Sequence, residues 1–316
     1  MSAIGGYFEL ELDRSGEYHT DAIRVNSGRN ALLYLLKARK YKRVFLPYFF
    51  CDVLLQPLSK LDVEVCFYPI DHHLEPIFDY SGVNGEDGFI YINYFGVKGS
   101  FIDVLIKKCP NCIIDNSQAF YSKLKGNVDS FYSPRKFFGV PDGGYLYCEK
   151  QLDEKLVADK SIKRFEHLLK RIEVSAEEGY EDYQRNELSL NELPLMQMSR
   201  LTKALLSSID YSFVSNKRVS NFNYLHQKLN DRNILKLPLG NEDVPLVYPF
   251  QSNIANLRET LTGKSIYTAV YWNNVLEKVE NESIEFDMVK YTVYLPVDQR
   301  YSISDMDRII EAINGK

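Results

Sequence analysis

The sequence predicts an α/β fold: a large unit on a mainly parallel sheet flanked by helices, followed by a smaller C-terminal α/β unit. Three observations lead there. Between residues 23 and 150, short apolar runs alternate with stretches of helical periodicity, the pattern of successive βαβ units. The 316 residues, 45% hydrophobic and 26% charged, are enough for about two domains of ordinary globular composition. No internal repeat and no Pro/Gly/Ser-rich linker interrupts the chain, so the two units are expected to dock closely.

The elements follow in order. Arg29 to Lys40 places Leu32, Leu35 and Leu36 on one helical face, and RVFLP (43–47) reads as a buried strand. A helix is expected over 52–60, strands over 62–70 and 88–96, and a helix over 102–108. CIID (112–115), DSFYS (129–133) and GYLYCE (144–149) complete the sheet, whose ligands are expected at the C-terminal ends of its strands. Residues 150–220 read as charged helices around the apolar stretch ELPLMQM (192–198), where Leu193, Leu195, Met196 and Met198 suggest a subunit interface. The predicted division is a large domain over 1–215 and a small one over 216–316, with strands in PLVYPFQ (245–251), SIYTAVYW (265–272) and YTVYLPV (291–297) and a terminal helix from Ser304.

Composition excludes several function classes. A net charge of −5 and an estimated pI of 5.7 argue against nonspecific binding to nucleic acid or to a membrane surface. No apolar run approaches the about 18 residues of a membrane span, and the N-terminus lacks the basic, then apolar, pattern of a signal peptide, so a cytoplasmic protein is expected. Five cysteines make no disulfide framework. Cys109 and Cys112 form a Cys-x-x-Cys without a second pair or histidines at ligand spacing, so no metal is expected and both thiols read as core residues.

Three segments carry chemistry. In DSFYSPRKFFGVPDGGYLY, Lys136 lies on a loop among Phe131, Tyr132, Phe137 and Phe138; crowding by aromatics would lower the amine's pKa and prepare it to attack a carbonyl. In NCIIDNSQAF, Asp115 ends an apolar strand, which brings its carboxylate to the ligand edge, where a buried anion needs a cationic partner. The pyridinium nitrogen of pyridoxal phosphate is such a partner, and a protonated ring is an electron sink. In RVNSGRNALLYLL, Ser27 and Gly28 open a helix whose free N–H groups favour a phosphate. There is no GxGxxG and no Walker lysine motif.

Together these segments resemble fold-type-I pyridoxal-phosphate enzymes, and more closely the DegT/DnrJ/StrS family of sugar aminotransferases. The family's Ser-Gly-Thr-x-Ala-Leu turn is matched by Ser27, Gly28, Ala31 and Leu32, with Arg29 in place of threonine. Its proline–aromatic segment is matched by Pro47 to Phe50, its Asp-x-x-Gln-Ala by Asp115, Gln118 and Ala119, and its acidic-Gly-Gly after the lysine by Asp142, Gly143 and Gly144. The resemblance implies a Schiff-base role for Lys136, pairing of Asp115 with the ring nitrogen, a contact from Gln118 to the ring hydroxyl, and phosphate binding by Ser27, Gly28, Arg29 and Ser133. It also implies an aromatic stacked on the ring, taken from Tyr48, Phe49 or Phe50, with Phe50 favoured. Arg300, in LPVDQRY, is the candidate for gripping a donor carboxylate, and Tyr7, in the N-terminal IGGYFELEL, for reaching the mouth of the site.

The departures are as definite as the matches. The lysine motif runs Ser130, Phe131, Tyr132, Ser133, Pro134, Arg135, Lys136, one residue longer than the family's and without its histidine. Where the family places an asparagine that reaches the partner subunit's phosphate, this chain has Leu195, followed by Met196, Gln197, Met198 and Ser199. The implied function is a homodimeric, pyridoxal-phosphate-dependent transfer of an amino group, expected from glutamate, to a keto-sugar, expected to be nucleotide-linked. Two alternatives stay open on these residues: amino-acid transamination or elimination with the same cofactor, and a binding or regulatory protein that keeps the fold without turnover.

Overall fold

A computed structural model describes residues 4–109, 111–123 and 126–315. The apolar runs form a seven-stranded sheet in the order β1-β7-β6-β5-β4-β2-β3. Its strands are β1 (Ile23–Val25), β2 (Arg43–Pro47), β3 (Glu64–Tyr68), β4 (Asp87–Ile92), β5 (Cys112–Asp115), β6 (Asp129–Tyr132) and β7 (Gly144–Tyr147). The five from β3 across to β6 are parallel, while β7 runs antiparallel to both β6 and β1. Helices α1 (Gly28–Arg39), α2 (Leu55–Lys60) and α3 (Gly99–Lys108) make the crossovers. β4, β5 and β6 are buried at every residue, which is why they read as continuous apolar runs. The strand expected to run to residue 96 stops at Ile92, because Phe95 and Gly96 take positive φ in a tight turn.

Beyond the sheet come α4 (Glu166–Glu173), α5 (Tyr180–Glu192), α6 (Arg200–Ser207) and α7 (Tyr211–Leu229). Helix α7 is continuous through 215/216, where the two units were expected to divide. The C-terminal part holds β8 (Val247–Gln251), α8 (Leu257–Gly263), α9 (Ile284–Lys290), β9 (Thr292–Pro296) and α10 (Ile303–Ile313), with β8 and β9 an antiparallel pair. The stretch 265–272 is not a strand; Ala269 makes one bridge to Tyr294, and then Tyr271 and Trp272 turn in to pack on Phe95 and Phe49 rather than extend the ladder. ELPLMQM also differs from expectation. Asn26 and Asn30 donate side-chain hydrogen bonds to the Pro194 carbonyl at 3.1 and 2.9 Å, and Met198 is buried, so the chain itself covers much of this stretch. A group of exposed apolar side chains lies instead on and around α4 and α5, at Ile162, Leu169, Ile172, Val174, Tyr180 and Leu188. Among the described residues no helix is long and apolar enough to cross a membrane.

An aromatic cluster closes the β1–β7 end of the sheet around buried His19, which touches Phe120, Tyr132, Tyr145 and Tyr147. Its Nε2 is 2.8 Å from the Phe120 carbonyl, an acceptor only, so Nε2 carries the proton and Nδ1 accepts from the Tyr147 hydroxyl at 3.1 Å. Burial pushes the imidazole down to about 4 from 6.5. A base with a depressed folded pKa contributes stability above its unfolded pKa and loses it as the pH falls through the folded one. The stability advantage of the wild type over His19→Gln is therefore expected to shrink by about 3 kcal/mol between pH 7 and pH 4. Urea unfolding at both pH values checks this; an unchanged difference would mean the imidazole is not held neutral.

Candidate functional site

The C-terminal edge of the parallel strands is where the sequence motifs meet. β1 leads into Ser27, β5 ends at Asp115, and β6 leads into Ser133 and the 3-10 turn Pro134–Lys136. Asp115 stands opposite Ile92 of β4 and Phe131 of β6, at the strand ends. It is 5% exposed and has no cation within ion-pair distance among the described residues. The Ser117 amide donates to its Oδ1 at 2.8 Å. Burial pushes its carboxyl up to about 6, against the hydrogen bonds from Ser117 and the charge of Lys136. Such a carboxylate is built to receive a cation.

Gln118, 2% exposed, sits one turn further along. Its Oε1 accepts from the Phe95 amide at 2.9 Å, which fixes the side-chain orientation and leaves Nε2 buried without a partner among the described residues. An unpaired buried donor costs about 1–3 kcal/mol, so this amide also awaits a ligand, of acceptor character.

The start of α1 is shaped by two glycines of β7 and its approach. A Cβ on Gly144 would lie 2.4 Å from the Ser27 carbonyl oxygen, so only glycine lets β7 come this close. Gly143, at φ +119°, donates its N–H to the Asn26 carbonyl at 2.8 Å. Asp142 anchors the approach from the other side, accepting from the Ser199 amide at 2.8 Å and from the hydroxyls of Ser199 and Thr202. Ser27 caps α1, its hydroxyl accepting from the Asn30 amide at 3.1 Å. Next to it, a Cβ on Gly28 would stand 3.3 Å from Ser133 Cβ and 3.5 Å from Ser117 Oγ. A missing side chain faced by two serines at a helix N-terminus makes a cradle suited to an anion. Gly28→Val would fill it, and is expected to weaken binding of a phosphate-bearing ligand, probed with pyridoxal phosphate, by at least about tenfold, equivalent to ~1.4 kcal/mol. An absorbance titration checks this; unchanged affinity would place the phosphate elsewhere.

Lys136 differs from the sequence expectation. Its side chain is exposed, because the neighbouring aromatics face inward: Phe131 and Tyr132 are in the sheet core, and Phe137 and Phe138 pack on Phe120. The aromatic side chains expected around its amine are therefore turned away from it. Its charge nevertheless reaches both Asp115 and Cys51.

The sequence matches no known family profile and no curated protein, but the fold has many solved counterparts. A DegT/DnrJ/EryC1/StrS aminotransferase from Brucella abortus superposes with a TM-score of 0.64 at 17% identity, covering 93% of this chain and 85% of that one. S. venezuelae DesV, solved in complex with a ketimine intermediate, gives 0.61 at 14% identity, over 93% and 84%. The Bacillus subtilis protein ntda, with its cofactor PMP bound, gives 0.66 at 13% identity, over 93% and 72%. The chain has the DegT/DnrJ/StrS aminotransferase fold.

On this aminotransferase fold, three expected site residues are placed differently. Phe50 is fully enclosed and stacked on Phe67 at 5.6 Å, so its ring has no free face; Tyr48 stacks on the same Phe67, and Phe49 is enclosed by Tyr94 and Trp272. The residue of this segment that shares the field of Lys136 and Asp115 is Cys51, whose thiol burial pushes up and the lysine charge draws down. Nothing in the aromatic run pointed to the cysteine after it. Arg300 is held by its own neighbour, its Nε and Nη2 donating to Asp298 at 2.7 and 2.8 Å. Tyr7 is 99% exposed and so packs against nothing in its own chain. Arg29 is half-buried, with Nη1 donating to the Leu190 carbonyl at 3.2 Å and Nε buried without a partner. Arg135, beside the lysine, pairs with Glu187 of α5. Sequence reasoning missed Ser117, although it stands two residues after Asp115, where an Asx turn places it.

Proposed function

We propose that this protein is a pyridoxal-phosphate-dependent aminotransferase acting on a keto-sugar. One observation carries the reading: the C-terminal edge of one sheet holds a carboxylate and an amide that are buried without a cation and without an acceptor among the described residues, a serine-lined cradle, and a lysine whose charge reaches the carboxylate. Those are complements, in turn, to a pyridinium nitrogen, a ring hydroxyl, a phosphate and an aldehyde. When bound, pyridoxal phosphate supplies an aldehyde for amine exchange and a ring that stabilises negative charge on the adjoining carbon. Asp115 would hold a proton at the ring nitrogen, and Gln118 Nε2 would donate to the ring hydroxyl. Gly28, with Ser27, Ser133 and the amide of Arg29, holds the phosphate, and Ser117 joins them. Lys136 would hold the cofactor through its amine, and that amine would be the group that takes up and returns the substrate's proton as general acid and base.

The donor is proposed to be glutamate and the acceptor a nucleotide-linked keto-sugar, in the cytoplasm. A homodimer is proposed through the exposed apolar face of α4 and α5, with Glu187 of α5 linking that face to Arg135 beside the lysine. The test is borohydride reduction of the protein loaded with pyridoxal phosphate, followed by peptide mass mapping, then amino transfer from glutamate to keto-sugar nucleotides. A pyridoxyl group on Lys136 together with an amino-sugar product is the expected result. A pyridoxyl group on another lysine would overturn the site, and a correctly loaded protein without amino transfer to any keto-sugar would overturn the reaction.

A further inference from the structure

Arg218 of α7 is 2% exposed, an unusual place for a guanidinium, and no carboxylate lies within ion-pair distance of it among the described residues. Burial pushes it down to about 10, so it remains a cation at neutral pH. Its two Nη groups donate to main-chain carbonyls, while Nε is buried without a partner among the described residues. Nη2 donates to the Phe137 carbonyl at 3.3 Å, and Nη1 to the carbonyls of Pro245 and Leu246 at 3.3 and 3.1 Å, while the guanidinium lies 4.4 Å from the Phe137 ring centre. Gln299, which follows β9, donates from Nε2 to the same Phe137 carbonyl at 2.9 Å. Phe137 is the residue after Lys136 and closes its turn, its amide donating to the Pro134 carbonyl at 3.0 Å. On the other arm, the Leu246 amide donates to the Phe95 carbonyl at 2.8 Å, and the Phe95 amide donates to Gln118 Oε1 at 2.9 Å.

We propose that Arg218 and Gln299 are positioning residues: they clamp the carbonyl beside Lys136 from the C-terminal part of the chain, and Arg218 ties that clamp through Leu246 and Phe95 to the orientation of Gln118. A lone backbone carbonyl does not require a charged donor and an amide donor together, and burying a cation without a carboxylate is costly. The arrangement makes sense where a turn must stay fixed while its lysine bonds and releases a ligand, since small displacements of a reacting group cost large factors in rate. The inference rests on Lys136 being the cofactor lysine.

Gln299→Leu removes one donor from the clamp and leaves the Arg218–Gln118 arm untouched, whereas Arg218→Lys keeps the charge and breaks the fork. In the cofactor-free protein, hydrogen exchange at the amides of Phe137 and Phe138 is expected to accelerate about tenfold or more in Gln299→Leu, with other protected amides unchanged. The rate at which added pyridoxal phosphate becomes borohydride-trappable on Lys136 is expected to fall by about tenfold or more in both variants. Affinity for pyridoxamine phosphate, which makes no bond to lysine, should stay within about twofold of wild type in Gln299→Leu and weaken in Arg218→Lys. Wild-type exchange and trapping rates in Gln299→Leu would overturn the proposal. Wild-type protein that traps no pyridoxyl group on Lys136 would instead overturn the underlying reading, a failure visible before any variant is made.

Discussion

Lys136→Ala is expected to retain pyridoxal phosphate without a covalent bond and to lose amino transfer by at least about four orders of magnitude, roughly 5 kcal/mol or more of transition-state stabilisation. The cradle, Asp115 and Gln118 are all outside the lysine turn's side chain, so the ligand still has its polar partners. On the proposed reading, the variant loses both the covalent anchor and the base that moves the proton. Single-turnover assays with the purified variant check this, and a rate within tenfold of wild type would assign the chemistry to another group.

Asp115→Asn is expected to act in two directions. Turnover should drop by about two to four orders of magnitude, roughly 3–5 kcal/mol, because an amide cannot hold the ring nitrogen protonated. The cofactor-free protein, by contrast, should become more stable at neutral pH. An acid whose folded pKa is raised, here from 3.8 to about 6, binds more protons folded than unfolded between those values. Its contribution to stability therefore falls as the pH rises through that window, by about 3 kcal/mol at most. Denaturant unfolding should show the variant gaining over wild type at pH 8 and losing that gain near pH 4. A variant that is less stable at pH 8 would mean that Asp115 is held as an anion by the folded chain itself.

Much of the fold was legible because the chain keeps its periodicities honestly. The strand at 43–47 and the one at 112–115 coincide with the apolar runs, since a strand buried on both faces leaves few places for a polar residue. The segments that misled are those where the local sequence admits two outcomes. SIYTAVYW has strand composition, yet its aromatics pack inward on Phe49 and Phe95, a tertiary decision. The site residues at strand ends, Asp115 and Ser27, could be placed by chain position alone. Those on side-chain orientation could not: the aromatics around Lys136 face the core, Phe50 turns to Phe67, and Asp298 claims Arg300. Arg218 left no trace in sequence, because its partners are carbonyls, which every residue carries.

The edge strand β1 reaches its only ladder partner, β7, across more than a hundred residues of intervening chain, and Asn26 beside it is bonded to Gly143 on one side and to Met196 on the other. The anion cradle at Gly28 is thus a joint between the first-made and later-made parts of the polypeptide. A nascent chain that has released only the first half of its sequence holds all seven strands and the serines around Gly28, but not Met196, Ser199 and Thr202, which brace Asn26 and Asp142. Contacts so distant along the chain close late, after local ones have repaid their entropy. A firm seat for a ligand therefore waits on later synthesis: fragments ending before Met196 should carry the cradle residues without their braces and bind pyridoxal phosphate more weakly than the whole chain.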